Sequence, residues 1–171
     1  MTLLCTNLLN HFYSIFFIQP MKMASSSTLK VLFVDDDSDE SYLFNEALEQ
    51  SELPIILFRA HDGNQLINAL NSGQQMPDLI IMDINMPYKD GIEALEEIRS
   101  NPKFGKVFII IYSITADSTS IKNAYDKGAD LYLIKPNDFE GMLTVVKKVY
   151  SMDWENFRRP KLDQFVLDLS N

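Results

Sequence analysis

Between residues 29 and 150 the chain alternates short, unbroken apolar runs with longer stretches of helical periodicity. An unbroken apolar run is typical of a strand that is buried on both faces of a parallel sheet. Polar turn residues and then a helical stretch follow each run, which is the order of repeated βαβ units. We therefore predict five strands, at 29–34, 55–58, 78–82, 107–112 and 131–134.

Acidic residues and glycines mark the helix boundaries. Asp37 to Glu40 predicts a helix with an acidic first turn, and Asp90-Gly91 precedes another periodic stretch. Gly128 ends a helix, because glycine readily adopts the left-handed conformation found there. Helices are predicted after every strand, among them those at 92–100, 118–127 and 138–150.

Strict alternation of five strands with five helices predicts an α/β fold, with one doubly wound parallel sheet and helices on both faces. Of the two common strand orders for such sheets we expect 2-1-3-4-5. This order reverses between the first and third strands. Ligands of open α/β sheets bind beyond the carboxyl ends of the strands at that reversal.

Four apolar runs end at charged or small polar residues, namely Asp35 with Asp36, Asp83, Ser113 and Lys135. Parallel strands end at one edge of their sheet, so we expect these side chains to gather there. Converging carboxylates repel one another by about 1 to 4 kcal/mol per pair at roughly 4 Å unless a cation neutralises them. Oxygen ligands favour Mg²⁺, and one carboxylate can then act as a nucleophile toward a phosphoryl group.

The composition of the chain limits the kinds of partner and the cellular compartment that we expect. The chain has 171 residues and a formal net charge of -9, whereas nonspecific nucleic-acid binding needs a basic patch, so we expect no nucleic-acid partner. Cys5 is the single cysteine, which excludes an internal disulfide and favours a reducing cytoplasm. His61 lies in a turn before a helix and is interpreted as a surface residue, not a phosphodonor.

Residues 1–27 differ from the rest of the chain. The apolar stretch at 8–20 has no basic start and no small-residue cleavage site, so a signal peptide is the less favoured alternative. It is also shorter than the roughly 20 apolar residues of a membrane span, and we expect no membrane partner. We predict that translation begins at Met21 or Met23, so that the leader is absent or disordered. Mass spectrometry showing a native start at Met1 would contradict this.

Four sequence blocks occur in order: VDDD at 34–37, MDINMPYKDG at 82–91, IIIYS at 109–113 and YLIKP at 132–136. Together they resemble the receiver domain of response regulators in two-component signalling, and the combination is highly specific. The resemblance implies the flavodoxin-like form of the predicted sheet. It divides the chain into the leader, a receiver domain and a tail, at 1–27, 28–151 and 152–171.

The resemblance implies that Asp83 accepts a phosphoryl group. The donor would be a phosphohistidine on a sensor histidine kinase or a histidine phosphotransfer protein. Lys135 would pair with one phosphoryl oxygen, and Ser113 would donate a hydrogen bond to another. Such a receiver assists its own phosphotransfer and dephosphorylation, and is not a turnover enzyme on a small-molecule substrate.

Metal ligands also follow from the resemblance. Asp36 and Asp83 would bind Mg²⁺ directly, Asp35 through water, and Asn85 through its backbone carbonyl. Asn85 and Thr115 occupy the two positions that tune the lifetime of the aspartyl phosphate in the family. The sequence does not predict that lifetime.

The implied switch uses Ser113 and Tyr132. Phosphorylation of Asp83 adds charge and acceptor oxygens, which would draw Ser113 toward the phosphoryl group. The vacated space would let Tyr132 turn inward and alter the face formed by the fourth helix, fifth strand and fifth helix. A downstream protein, not identified by the sequence, would read that face.

Single residues of these blocks also have ordinary structural interpretations, and two other functions are compatible with the fold. Taken singly, Lys135 is an ordinary loop charge and Tyr132 an ordinary core residue, although separate causes would not place every matched residue at one sheet edge. The alternative function is a pseudo-receiver, a constitutive protein-interaction module, but such proteins typically lack an acid, the acceptor or the lysine. A flavodoxin-like mononucleotide binder would need a loop of Ser, Thr and Gly where this chain has DDDSDE.

The tail at 152–171 is more apolar than a free tail needs, and is too short for a DNA-binding or enzymatic output domain. Single-domain receivers that partner phytochrome-type kinases carry comparable aromatic tails. We weigh two predictions equally: the tail packs on its own domain, or it forms a homodimer contact. Its apolar residues are Trp154, Phe157, Phe165, Val166 and Leu167.

Overall fold

Five parallel strands form one sheet in the computed structural model, which describes residues 28–73, 76–167 and 169. The strands are β1 (Leu29–Val34), β2 (Ile55–Ala60), β3 (Leu79–Met82), β4 (Phe108–Ser113) and β5 (Leu131–Ile134). Their order is β2-β1-β3-β4-β5, which confirms the predicted doubly wound topology. The reversal in strand order therefore lies between β1 and β3.

Two strands extend past their predicted carboxyl ends. β2 continues to Ala60 because Arg59 is exposed at the sheet edge, where a polar side chain does not interrupt pairing with β1. β4 includes Ser113, which pairs with Ile134 of β5. Ser113 is thus fixed by strand pairing instead of following the strand as a loop residue.

All five helices begin after an aspartate. The helices are α1 (Ser38–Ser51), α2 (Gly63–Ser72), α3 (Gly91–Ser100), α4 (Ser118–Asp126) and α5 (Phe139–Ser151). The carboxylate of each preceding aspartate accepts a hydrogen bond from a backbone N–H of the first turn, which is the preferred way to begin a helix. These capping residues are Asp37, Asp62, Asp90, Asp117 and Asp138. Two short 3₁₀ segments, Pro102–Phe104 and Leu162–Gln164, were not predicted.

The sheet separates two apolar cores. One core contains buried residues of α2, α3 and α4, and it includes Tyr132 of β5. The other lies against α1 and α5 and includes Phe33, whose ring stacks on Phe44 at 4.3 Å between centroids. Burial on both faces explains why the central strands are continuous apolar runs.

A partly buried ion pair joins α3 to the residue before β5. Arg99 donates to the carboxylate of Asp130 at 2.6 Å, and to the backbone carbonyls of Gly128 and Val107 at 2.7 and 2.9 Å. Asp130 also accepts the backbone N–H of Ile109 at 2.8 Å. The Asp130 carboxylate thus links α3 to β4.

We expect Asp130→Ala to lower the free energy of unfolding by about 3 kcal/mol, because Arg99 would remain partly buried without its counter-charge. Urea denaturation followed by circular dichroism measures this loss. Asp126→Ala is the matched control, since Asp126 pairs with Lys122 on the exposed surface of α4, and we expect it to change stability by less than about 1 kcal/mol. Equal losses in both variants would contradict the prediction.

The tail lies against the domain it follows. The rings of Trp154 and Phe157 pack on Phe108 of β4, with centroids 5.0 and 5.4 Å away. Val166 forms a parallel bridge with Tyr132 beside β5. The homodimer contact stays a prediction.

The predicted leader at 1–27 lies outside the described residues. Within the part of the chain that the structure describes, none of the helices combines the length and apolar composition that a membrane crossing requires.

Candidate functional site

Three carboxylates meet at the reversal in strand order. Asp35 and Asp36 follow β1, and Asp83 follows β3, which pairs directly with β1. Each of the three offers a ligand oxygen, and these oxygens lie within 4.8 Å of one another. The edge predicted to gather acidic groups therefore does so, because neighbouring parallel strands end together.

Lys135 follows β5 and reaches across the sheet edge to two of these acids. Its Nζ lies 2.7 Å from Oδ2 of Asp35 and 3.3 Å from Oδ2 of Asp83. The lysine side chain is only 8% exposed. Burial opposes its charge, but the ion pair with Asp35 and the charge of Asp83 outweigh burial and raise the pKa of Lys135. Lys135 therefore remains a cation beside Asp83.

Backbone donors fix the orientation of the two buried acids. Asp35 accepts the N–H of Asp37 at 2.9 Å, and Asp83 accepts the N–H of Ile84 at 2.7 Å. Burial raises the pKa of Asp35, and the hydrogen bonds from Lys135 and the Asp37 N–H offset part of that rise.

The cluster suits a hard divalent cation. All three ligand groups are carboxylates, and Asp36 is exposed to solvent while Asp35 and Asp83 are buried. Magnesium prefers oxygen ligands and keeps several waters, which requires one open side. Asn85, whose carbonyl the resemblance assigned to the metal, lies exposed in the loop after β3.

Sequence reasoning missed a pair of residues behind the lysine. Tyr112 is fully buried in β4, and its ring centroid lies 5.1 Å from Nζ of Lys135. Its hydroxyl donates to Oε2 of Glu40 on α1 at 3.3 Å. Burial raises the pKa of Glu40, and Lys135 opposes that rise. The Tyr112 ring thus contacts the Lys135 ammonium, and the partly buried Glu40 carboxylate adds negative charge near it.

Glycine is required where α3 begins. The backbone of Gly91 approaches β3 so closely that an added Cβ would lie 2.1 Å from the carbonyl oxygen of Asp83. The N–H of Gly91 also donates to the carbonyl of Ile84 at 2.9 Å. The loop that follows Asp83 is therefore closed tightly by backbone contact.

The predicted switch residues are linked by hydrogen bonds. Ser113 is fully buried, and its Oγ accepts the N–H of Thr115 at 3.3 Å. The Tyr132 hydroxyl donates to the carbonyl oxygen of Thr115 at 2.6 Å. Tyr132 is itself fully buried, so its ring lies inside the domain and not on the surface.

His61 lies apart from this chemistry. It is exposed in the turn between β2 and α2, and its backbone N–H donates to the side chain of Gln65. The position agrees with its interpretation as a surface residue.

The fold and the site define a doubly wound α/β domain with an acidic pocket at its switch point and a lysine beside it. The chain belongs to the response regulator receiver domain family, whose model matches residues 31–147. Members of this family act in two-component signalling and accept a phosphoryl group from histidine kinases. The resemblance carried by the four sequence blocks is thereby confirmed.

Several similar proteins are response regulators that this chain covers almost from end to end. A probable chemotaxis protein CheY of Rhizobium etli is 34% identical over 128 residues, which are 75% of this chain and 97% of that protein. The phosphorylated cyanobacterial phytochrome response regulator RcpA has a TM-score of 0.70 and 26% identity, covering 79% of this chain and 100% of that one. The Mn²⁺-bound form of response regulator Rcp1, a protein of Synechocystis, has a TM-score of 0.67 and 26% identity, covering 77% and 99%.

Proposed function

We propose that this chain is an active phosphoacceptor receiver in which Asp83 takes a phosphoryl group from a histidine kinase or a histidine phosphotransfer protein. The observation that carries the proposal is the cluster itself: three carboxylates with ligand oxygens within 4.8 Å, and Lys135 bonded to two of them. A structural ion pair would not need the third, exposed acid. Residues suited to binding a cation and residues suited to binding a phosphoryl group thus surround one carboxylate.

In the proposed transfer, one carboxylate oxygen of Asp83 uses a lone pair to form a bond to the phosphorus of a phosphohistidine. The phosphorus–nitrogen bond breaks, and its electron pair stays on the imidazole nitrogen. Lys135 then moves its charge from the Asp83 carboxylate toward a phosphoryl oxygen, and the Ser113 hydroxyl donates to another. The chain is modified once in each cycle and turns over no small-molecule substrate.

We propose Mg²⁺ as the cofactor. Asp36 and Asp83 would bind it directly, Asp35 through water, and Asn85 through its backbone carbonyl. Bound magnesium offsets the negative charge that accumulates on the transferring group. The Mn²⁺-bound form of Rcp1 supports a divalent ion in this type of pocket, and the oxygen-only ligand set supports magnesium.

The switch would run from Ser113 through Thr115 to Tyr132. We propose that Asn85 and Thr115 tune the lifetime of the phosphorylated form, since both lie in loops beside Asp83 and Ser113. A downstream protein would read the altered surface. The proposed histidine-kinase donor would place the chain in the cytoplasm.

The pseudo-receiver remains the competing function. It would keep the fold and the interaction surface without phosphorylation. The pairing of Lys135 with both buried acids favours the active receiver. Burying charged groups carries a desolvation penalty, and a module that only binds other proteins does not require these charges.

Phosphorylation by acetyl phosphate tests the proposal. We expect intact-mass spectrometry to show the addition of one phosphoryl group in Mg²⁺, its loss in Asp83→Asn, and strong suppression by chelator. Asp126→Asn is the control, because that acid pairs with Lys122 on the exposed surface of α4. No modification from acetyl phosphate or phosphoramidate would favour the pseudo-receiver.

A further inference from the structure

Residues 165–167 run alongside β5, where Val166 forms an isolated parallel bridge with Tyr132. The backbone N–H of Tyr132 donates to the carbonyl of Phe165 at 3.0 Å, and the N–H of Leu167 donates to the carbonyl of Tyr132 at 2.7 Å. We call residues 165–167 the C-terminal strand. Both backbone hydrogen-bonding groups of Tyr132 that face the sheet edge are therefore used by this strand.

Phe165 fills the space between β5 and α4. Its side chain is fully buried, and its ring centroid lies 6.3 Å from that of Tyr132 and 5.1 Å from that of Tyr125 on α4. Phe165 belongs to the same apolar core as Tyr132. Phe165 therefore packs beside the Tyr132 ring in the core on the α4 side of β5.

Arg159 fastens the approach of the tail to this face. Its guanidinium lies 3.9 Å from the ring centroid of Tyr125, and its Nε donates to the carbonyl of Ala129 at 2.7 Å. It also donates to the carbonyl of Tyr125. The C-terminal strand is therefore anchored upstream by a cation over an aromatic ring and by backbone contacts.

Tyr132 is held from two sides. Inside the domain its hydroxyl donates to the carbonyl of Thr115, which follows Ser113. Outside, the C-terminal strand pairs with its backbone and Phe165 packs on its ring. The same residue thus joins the loop beside the phosphoacceptor to the end of the chain.

We propose that Phe165 is a positioning residue of the switch: by packing against the Tyr132 ring and backbone, the C-terminal strand stabilises the inward conformation that phosphorylation favours. This inference rests on the proposed phosphoacceptor function and adds a regulator within the same chain. Because coupling between two sites is reciprocal, docking of the strand raises the affinity of the Asp83 pocket for a phosphoryl group, and phosphorylation tightens docking. A partner that draws the strand away would lower the affinity of the pocket.

Binding of beryllofluoride, a noncovalent phosphoryl analogue, tests the coupling on the full-length chain in Mg²⁺. We expect Phe165→Ala to raise the dissociation constant for beryllofluoride by roughly fivefold or more. Phe165→Leu should restore most of the affinity. Phe157→Ala is the matched control, because Phe157 is a tail aromatic that packs on Phe108 and not on Tyr132. We expect it to bind beryllofluoride as the wild type does.

Hydrogen exchange supplies the reciprocal measurement. In the wild type, beryllofluoride is expected to slow hydrogen exchange at the amide of Leu167 by roughly the same fivefold factor. The exchange rate at the amide of Trp154 should not change. Unchanged affinity in Phe165→Ala, or equal weakening in Phe157→Ala, would overturn the role of Phe165 while leaving the phosphoacceptor function intact. A wild type that binds no beryllofluoride and takes no phosphoryl group from acetyl phosphate would overturn both proposals.

Discussion

Lys135→Ala is expected to lower the free energy of unfolding by about 3 kcal/mol in the presence of a chelator. The substitution removes the cation that lies between Asp35 and Asp83 and leaves two buried carboxylates facing each other. Removing one partner of a buried ion pair costs more than the pair itself contributes, because the remaining charge stays desolvated. Urea denaturation followed by the fluorescence of Trp154 measures the loss.

Magnesium should restore much of this stability, since a divalent ion can replace the lost positive charge. At about 100 times its dissociation constant, a ligand that binds only the folded state adds about 2.7 kcal/mol. We therefore expect Mg²⁺ to stabilise Lys135→Ala more than it stabilises the wild type. Phosphorylation by acetyl phosphate should nevertheless stay low, because the cation proposed to pair with one phosphoryl oxygen would be missing and Ser113 alone would remain to donate to the group.

Lys122→Ala is the matched control, because Lys122 forms an exposed pair with Asp126 on α4. We expect a change below about 1 kcal/mol and no dependence on Mg²⁺. If Lys135→Ala behaved like this control, the ion pairs seen at the sheet edge would contribute little in solution. A normal phosphorylation rate in Lys135→Ala would remove the lysine from the proposed mechanism.

The sequence was sufficient to predict that two acids and a lysine of the site, Asp35, Asp83 and Lys135, meet at one edge of the sheet. Asp35 and Asp83 could be placed together because each follows an unbroken apolar run, and neighbouring parallel strands end at one edge. Lys135 could be assigned to the same edge for the same reason. The rule concerns backbone direction, so it needs no knowledge of side-chain packing.

The rule that parallel strands end at one edge does not predict side-chain contacts between distant elements. Tyr112 lies inside an apolar run and was counted as a strand residue, and nothing in the pattern pairs it with Glu40 on α1. The tail presented a similar difficulty. Its aromatic content predicted packing, but the pairing of Val166 with Tyr132 depends on the path that the chain takes after α5. Periodicity describes single elements, whereas these contacts depend on how elements pack.

Gly91→Ala is expected to reduce phosphorylation of Asp83 by about a hundredfold, the usual consequence of displacing a reacting group by about 1 Å. An added Cβ would lie 2.1 Å from the carbonyl oxygen of Asp83 and 3.0 Å from Cα of Ile84. Both neighbours are backbone atoms, so no side-chain rotation relieves the contact. The loop must move at the residue that accepts the phosphoryl group. The initial rate with acetyl phosphate and Mg²⁺, followed by intact mass, measures the effect.

Gly105→Ala separates this local displacement from the general effect of a glycine substitution. Its added Cβ would meet the carbonyl oxygen of Pro102 at 3.4 Å, and the φ of Gly105 is -62°, which alanine adopts without strain. We expect Gly105→Ala to phosphorylate normally and to be as stable as the wild type or slightly more so, since alanine restricts the unfolded chain. Gly91→Ala should also unfold at lower urea. If it instead kept a normal phosphorylation rate, the tight closure of the loop after β3 would not be what positions the Asp83 carboxylate, and its orientation would depend mainly on the Ile84 N–H and Lys135.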